Sequence, residues 1–106
     1  MTNAARKQWL IDNGFEYVCT NEFNETYEKY TTFSRSSWSS DPAPFLLQVH
    51  VSLKEKQKPW AELHAGSLSF GSERVDSPYE AVDIVLNELL HMLESMKIAA
   101  ETVKTW

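Results

Sequence analysis

The sequence predicts an α+β fold in the order α-β-β-β-β-α. A short N-terminal helix precedes a four-stranded antiparallel sheet, and a long C-terminal helix packs on one sheet face. Three observations carry this. Residues 45–53 alternate between Phe45, Leu47, Val49, Val51, Leu53 and Leu46, Gln48, His50, Ser52, the pattern of a strand with one face on a core. Residues 82–103 place Val82, Leu86, Leu89, Leu93, Met96, Ala100 and Val103 at alternating spacings of four and three, a helix with one apolar face. Between residue 15 and residue 70 the apolar runs are short and punctuated by turn residues, which suits strands and not helices.

The first element is a helix over residues 3–13, with Ala4, Ala5, Trp9, Leu10 and Ile11 on an incomplete apolar stripe. Asn13-Gly14 ends it, because glycine adopts the left-handed conformation after a helix at little cost. Residues 15–20 form the first strand, with Phe15, Tyr17 and Cys19 in phase. Residues 21–26 are polar and read as a turn. Residues 27–34 are rich in threonine and aromatic side chains and form the second strand. The stretch SRSSWSSDPAP over residues 34–44 has no periodicity and reads as a Ser/Pro loop. Residues 45–53 are the third strand. Lys54 to Pro59 is a charged turn. Residues 60–70 are the fourth strand, with Ala61, Leu63, Ala65, Leu68 and Phe70 inward and a slip of phase at Gly66-Ser67 that reads as a bulge.

The last helix starts with a capping signature, Ser77-Pro78-Tyr79-Glu80. The serine accepts from an amide of the first turn, and proline suits the first helical position. Over residues 78–104 the helix is about 40 Å long at 1.5 Å per residue. Four strands are only about 15 Å across, and strands run roughly 20–30 Å. The helix is therefore expected to overhang its own sheet.

The 106 residues fit a single domain, 1–106. Apolar residues make up 42% and aromatic ones 12%, enough for a core and too many for a disordered chain. Cys19 is the one cysteine, so an internal disulfide is impossible. With no signal-peptide pattern and no long apolar run, the expected location is the cytoplasm, without membrane association. The net charge of −5 argues against nucleic acid as a partner, since such binding needs a basic footprint.

No catalytic, metal or phosphate-binding signature is present, so no catalytic residue and no cofactor is expected. The residues nearest to a metal set are His50 and His64, on the outward phase of neighbouring strands, with Glu62. An even register would set His50 opposite His64 or opposite Glu62, and two imidazoles with a carboxylate suit zinc or nickel. A third and fourth ligand are missing from the pattern, so the expectation is no metal. Cys19 lies among Glu16, Glu22 and Glu25 and reads as a buried structural thiol. Lys54, Lys56 and Lys58 read as a solvated hairpin tip, and His91 as a solvated histidine on the polar face of the long helix.

Two places look made for a partner. Trp38, with Arg35 beside it, lies in the Ser/Pro stretch, and large aromatics on loops are typical interface anchors. The end of the long helix carries Met96, Ile98, Ala99, Ala100, Val103 and Trp106. Met96 to Ala100 are expected to pack on the first helix through Trp9 and Leu10, leaving Val103 and Trp106 for a partner. The resulting expectation is a non-catalytic protein–protein interaction module that binds another protein or itself as a homodimer. In size and style, though through no motif, the chain resembles small accessory proteins of phages and mobile elements, including inhibitors of host defence nucleases. The alternatives are a nucleic-acid binder using the open sheet face, with Tyr30, Trp60 and the lysine turn as a stacking platform, and a small metal-dependent enzyme around His50, Glu62 and His64.

Overall fold

The structure, a computed structural model, describes residues 1–36 and 39–105, and of residues 31–36 and 39–44 the backbone alone. Its elements are α1 (Asn3–Asp12), β1 (Glu16–Thr20), β2 (Asn24–Ser36), β3 (Ser39–Ser52), β4 (Trp60–Ala65), β5 (Leu68–Gly71) and α2 (Pro78–Lys104). The five strands form one antiparallel meander in the order β1-β2-β3-β4-β5. The class is the expected α+β, with five strands rather than four.

The fifth strand comes from Gly66-Ser67. Ala65 pairs with Leu68 across these two residues, and Gly66 has φ +62°. That is a two-residue hairpin turn with glycine at its first central position, as a type II′ turn requires, and not a bulge. A two-residue turn restores the side-chain parity on both sides, so Leu63 and Phe70 still share a face.

The stretch expected to be a Ser/Pro loop is largely strand. β2 and β3 stay paired from Asn24↔Ser52 out to Ser36↔Ser39. Pro42 and Pro44 are tolerated there because the outer part of the ribbon has no further neighbours. β1 pairs with β2 only as far as Glu28, and β4 with β3 only as far as Phe45. A proline in such an edge position removes no ladder bond. The turn between β1 and β2 is likewise shorter than expected. The Asn21 side-chain Oδ1 accepts from the amides of Phe23 and Asn24, both at 2.7 Å, and the strand resumes at once.

One face of the sheet holds the core. Tyr27, Leu47, Val49, Val51, Ala61, Leu63 and Ala65 are buried there against Leu10 and Phe15, and against Ala81, Val85 and Leu89 of α2. Burying each Val or Leu contributes roughly 1.5–3 kcal/mol. The Ser77 Oγ accepts from the Glu80 amide at 3.1 Å, and α2 then runs unbroken for 27 residues. Its buried line is Ala81-Val85-Leu89, with Val82 and Leu86 half-buried beside it. That line is turned slightly from the Val82-Leu86-Leu89 stripe the spacing picked out. Alanine at 81 permits the closer approach.

Cys19 is exposed, against expectation. A register shift between Tyr17 and Cys19 puts the thiol in the row of Thr26, on the face away from the helices. Tyr17 stays on the helix side, edge-on to Tyr27 at 5.7 Å.

Arg6 joins the N-terminal elements. It is 2% exposed. Its Nε donates to the Asp76 carbonyl at 2.9 Å, its Nη1 to Asn3 Oδ1 at 2.9 Å and to the Glu55 carbonyl at 3.2 Å, and its Nη2 to Asp76 Oδ1 at 3.3 Å. One guanidinium thus ties α1, the β3–β4 turn and the approach to α2. The Met1 terminal ammonium, hydrogen-bonded to the Asp76 carboxylate, and after it Arg6, hold that carboxyl below its usual range.

Replacing Arg6 by alanine removes the donors of the part-buried hydrogen bonds to the Asp76 and Glu55 carbonyls. It is expected to cost about 2–4 kcal/mol in urea unfolding. A group with a lowered folded pKa contributes stability that is present above its unfolded pKa and lost as pH falls. The gap in urea midpoint between the wild type and Asp76→Asn should therefore be open at pH 6 and close in strong acid.

Candidate functional site

Two surfaces are left over once the core is built: the sheet face away from the helices, and the far half of α2.

The open sheet face is organised in rows. Thr26, His50 and Trp60 lie opposite one another, as do Glu28, Gln48 and Glu62, and as do Tyr30, Leu46, His64 and Ser69. The register places His50 opposite Trp60, not opposite His64 or Glu62. The parity is as expected, but the β3–β4 connection is longer by one step, since Trp60 pairs with His50 and not with Ser52. The three residues of the supposed metal set still meet, on a diagonal. His50 Nε2 is 3.2 Å from Glu62 Oε2, and His64 Nε2 is 3.8 Å from the same oxygen. The outer nitrogens are engaged as well, His50 Nδ1 with Thr26 Oγ1 at 3.0 Å and His64 Nδ1 with Ser69 Oγ at 3.3 Å. The result is a string of polar contacts across four strands with a carboxylate at its middle, hydrogen-bonded to His50 and in wider contact with His64. Among the described residues no group of three His, Cys, Asp or Glu is placed to hold a metal ion.

The same face bears on the nucleic-acid alternative. The Trp60 ring is stacked on the His50 ring, with centroids 4.2 Å apart. One face of the indole is thus already covered. Tyr30 is well exposed. Glu16, Glu28 and Glu62 run along one row, and no lysine or arginine occupies a described position on this face. Phosphates would meet carboxylates there.

The second surface is larger and apolar. From Leu90 to Thr105 every residue of the chain is exposed. Leu90 is 62% exposed, Leu93 47%, Met96 53%, Ile98 57% and Val103 52%. Met96 to Ala100 therefore do not pack on α1. Trp9 lies instead against Phe15 and Tyr79, near the start of α2. The reason is direction. The Val75 amide donates to the Pro59 carbonyl, which pins the approach to α2 beside the start of β4. The helix then runs along β4 toward Ala65. Pro78 to Leu89 covers about 17 Å of helix, and β4 itself is about 17 Å long. Leu89 thus lies near the last residue of β4, and the remaining 15 residues extend roughly 22 Å beyond. The overall dimensions, 54 × 26 × 24 Å, reflect this one-sided reach.

Comparison with protein-family models, with curated proteins and with solved structures finds no match. The surfaces have to be read from their own chemistry.

Of the residues singled out in the sequence, Val103 is on the overhang. Trp38 and Trp106 lie outside the described residues, as does the side chain of Arg35. The periodicity missed Met92, which sits at the root of the overhang and lines a shallow groove of about 550 Å³ with Phe70, Asn87, Glu88, His91 and Ser95. Its signal was present in the second line of spacing, 85-89-92-96-99-103, which runs beside the first. His91 is exposed as expected.

The Trp60 indole N–H is buried and has no acceptor among the described residues. Leaving a buried donor unpaired costs about 1–3 kcal/mol. Trp60→Phe keeps the stack on His50 and removes the donor. Its urea midpoint is expected to stay level or rise, and a loss above about 2 kcal/mol would mean that the indole N–H is engaged after all.

Proposed function

We propose that this chain is a non-catalytic protein-binding module whose docking surface is the apolar far half of α2. One observation carries the reading: a 15-residue helical segment that keeps its apolar face, exposed, after the β4 and β5 strands beneath it have ended. An isolated helix of that length is marginal in water, because helices of fewer than about 12–15 residues gain little beyond the cost of nucleation. Exposing Met92, Leu93, Met96 and Val103 along one side of the helix also leaves an apolar stripe, of the kind that marks interaction sites. The chemistry of the partner follows from the surface. It is a protein presenting an apolar ridge or groove at helical spacing, with charges able to meet Lys97 and Lys104 on one side of the face.

The open sheet face supports this reading indirectly. His50, Glu62, Thr26 and Ser69 are engaged with neighbours on that face, whereas the apolar side chains of the overhang face water.

Placing a photo-crosslinking amino acid at Leu93, and separately at Glu73 as a control, tests the proposal in cells that make the protein. Adducts with a protein are expected at position 93 and absent at 73. Met96→Glu should abolish them. Failure to obtain any adduct at position 93, or adducts that survive Met96→Glu, would overturn the assignment.

A further inference from the structure

We infer that the outer edge of β5 takes up an extended, basic segment of another protein as a sixth, antiparallel strand. One large apolar side chain of that segment seats in the groove between Phe70 and α2. This contact lies at the root of the overhang and goes beyond the proposed docking on the far half of the helix.

The backbone shows what kind of chain the edge takes. β5 is the last strand of the sheet, and no described strand pairs with its outer side. In an antiparallel pair, hydrogen-bonded and non-hydrogen-bonded residue pairs alternate. The Ser72 amide donates to the Ala61 carbonyl at 2.8 Å. Leu63 and Phe70 are therefore a hydrogen-bonded pair, and so are Ala65 and Leu68 at the turn. Ser69 and Gly71 fall between. Their N–H and C=O groups point away from β4 into solvent, and both residues are exposed. An extended backbone presents acceptors and donors at that spacing, and antiparallel pairing is the more stable kind. The opposite edge is blunted, because a register shift between Tyr17 and Cys19 interrupts β1. β5 has an unbroken register and neither proline nor a charged residue.

An edge of four residues offers few such groups, and the groove supplies the rest. An added residue opposite Phe70 directs its side chain to the helix side of the sheet, where Phe70 itself packs. There the groove of about 550 Å³ lies between Phe70 and the flank of α2 formed by Asn87, Glu88, His91, Met92 and Ser95. Phe70 and Met92 make its apolar floor. The β2–β3 ribbon does not intervene, because it projects on the other side of β4.

The charge of the wall selects the occupant. From Pro78 to Met96, α2 carries Glu80, Asp83, Glu88 and Glu94 and no lysine or arginine. A lysine or arginine two residues from the apolar anchor projects on the same side of its strand and meets this wall. A second copy is disfavoured on the same ground. Two β5 edges paired about a two-fold axis would set both α2 helices on one face of the joined sheet, with the Glu88 flanks toward each other.

Amide hydrogen exchange and an NMR titration of the full chain test this, with the acetylated and amidated heptapeptide TKTWTKT as probe. Its tryptophan and lysines share one side of a strand and its threonines the other. On binding, the Ser69 and Gly71 amides should exchange more slowly, and the His91 and Met92 resonances should shift. N-methylation of the two threonines beside the tryptophan removes donors to the edge and should weaken binding at least about tenfold. N-methylation of the tryptophan, whose amide faces away from β5, should leave binding unchanged. Glu88 is exposed, so Glu88→Lys is expected to keep the fold. It should weaken TKTWTKT about threefold and strengthen TETWTET. Absence of any shift at about a millimolar of TKTWTKT overturns the inference. So does binding indifferent to the threonine methyl groups, or an unchanged preference between the two peptides in Glu88→Lys. Protection of the Ser69 and Gly71 amides in the free chain at rising concentration would put a second copy on the edge and overturn it as well. The crosslink at Leu93 reads the far half of α2 and this titration reads the edge, so either can fail while the other stands.

Discussion

A helix of 27 residues lies on a strand of six, and most of this molecule follows from that mismatch. The strand is short because Gly66-Ser67 reverses the chain at once into β5. β4 and β5 therefore end together at the turn, while α2 has no glycine, and no proline after Pro78 at its first position, as far as Lys104. A helix that met a longer sheet would bury its apolar line throughout. This one buries Ala81, Val85 and Leu89 and carries the rest of the line into solvent. The outer β2–β3 ribbon also runs past Ala65, so the body is bounded at that end by two projecting elements. Isolated two-stranded ribbons are only marginally stable in water, and the same is true of isolated short helices.

The excess length could have been shared between the two ends of the helix. Arg6 prevents that. A buried guanidinium is stable only when its donors are paired, and here they reach the Asp76 backbone and side chain, the Glu55 carbonyl and Asn3. The residues just before Ser77 are thereby fixed to the β3–β4 turn. Sliding α2 toward its N-terminus to cover more of its apolar face would break this cluster and the Ser77 cap together. The start of the helix is thus held by polar geometry, and all of its surplus appears at the other end.

Much of this was legible in the residues, and the misses have particular causes. The α2 bounds followed from Ser77-Pro78 and an uninterrupted 3.5-residue period, signals local enough to survive any tertiary context. The β4–β5 turn was misread because a bulge and a two-residue hairpin both put glycine at a break in alternation, and only the pairing partner separates them. The ribbon beyond Thr31 was hidden by serine and proline, which describe turns in most settings but are tolerated at unflanked edges. Cys19 was placed inside by extrapolating alternation across a register shift that leaves no mark on composition. His50, Glu62 and His64 were correctly sensed as neighbours, because strand parity constrains who shares a face. The register that makes them diagonal depends on the exact length of the turn.

The two leftover surfaces differ in a way that decides between them. On the open sheet face the groups that could act chemically are already engaged: His50 hydrogen-bonds at both nitrogens, Glu62 accepts from it, and His64 hydrogen-bonds through Nδ1. Recruiting His50 or Glu62 to a ligand means breaking an existing hydrogen bond, with a net cost of about 0.5–1.5 kcal/mol each. On the overhang nothing has to be broken. Covering Leu93, Met96 and Val103 removes apolar area from water at roughly 25 cal/mol per Å² and stabilises a helix that would otherwise fray. Association there adds free energy to both partners' folding, whereas association on the sheet face starts from a deficit. The sign of that first step, more than any motif, is what supports the proposal of a docking surface on the helix.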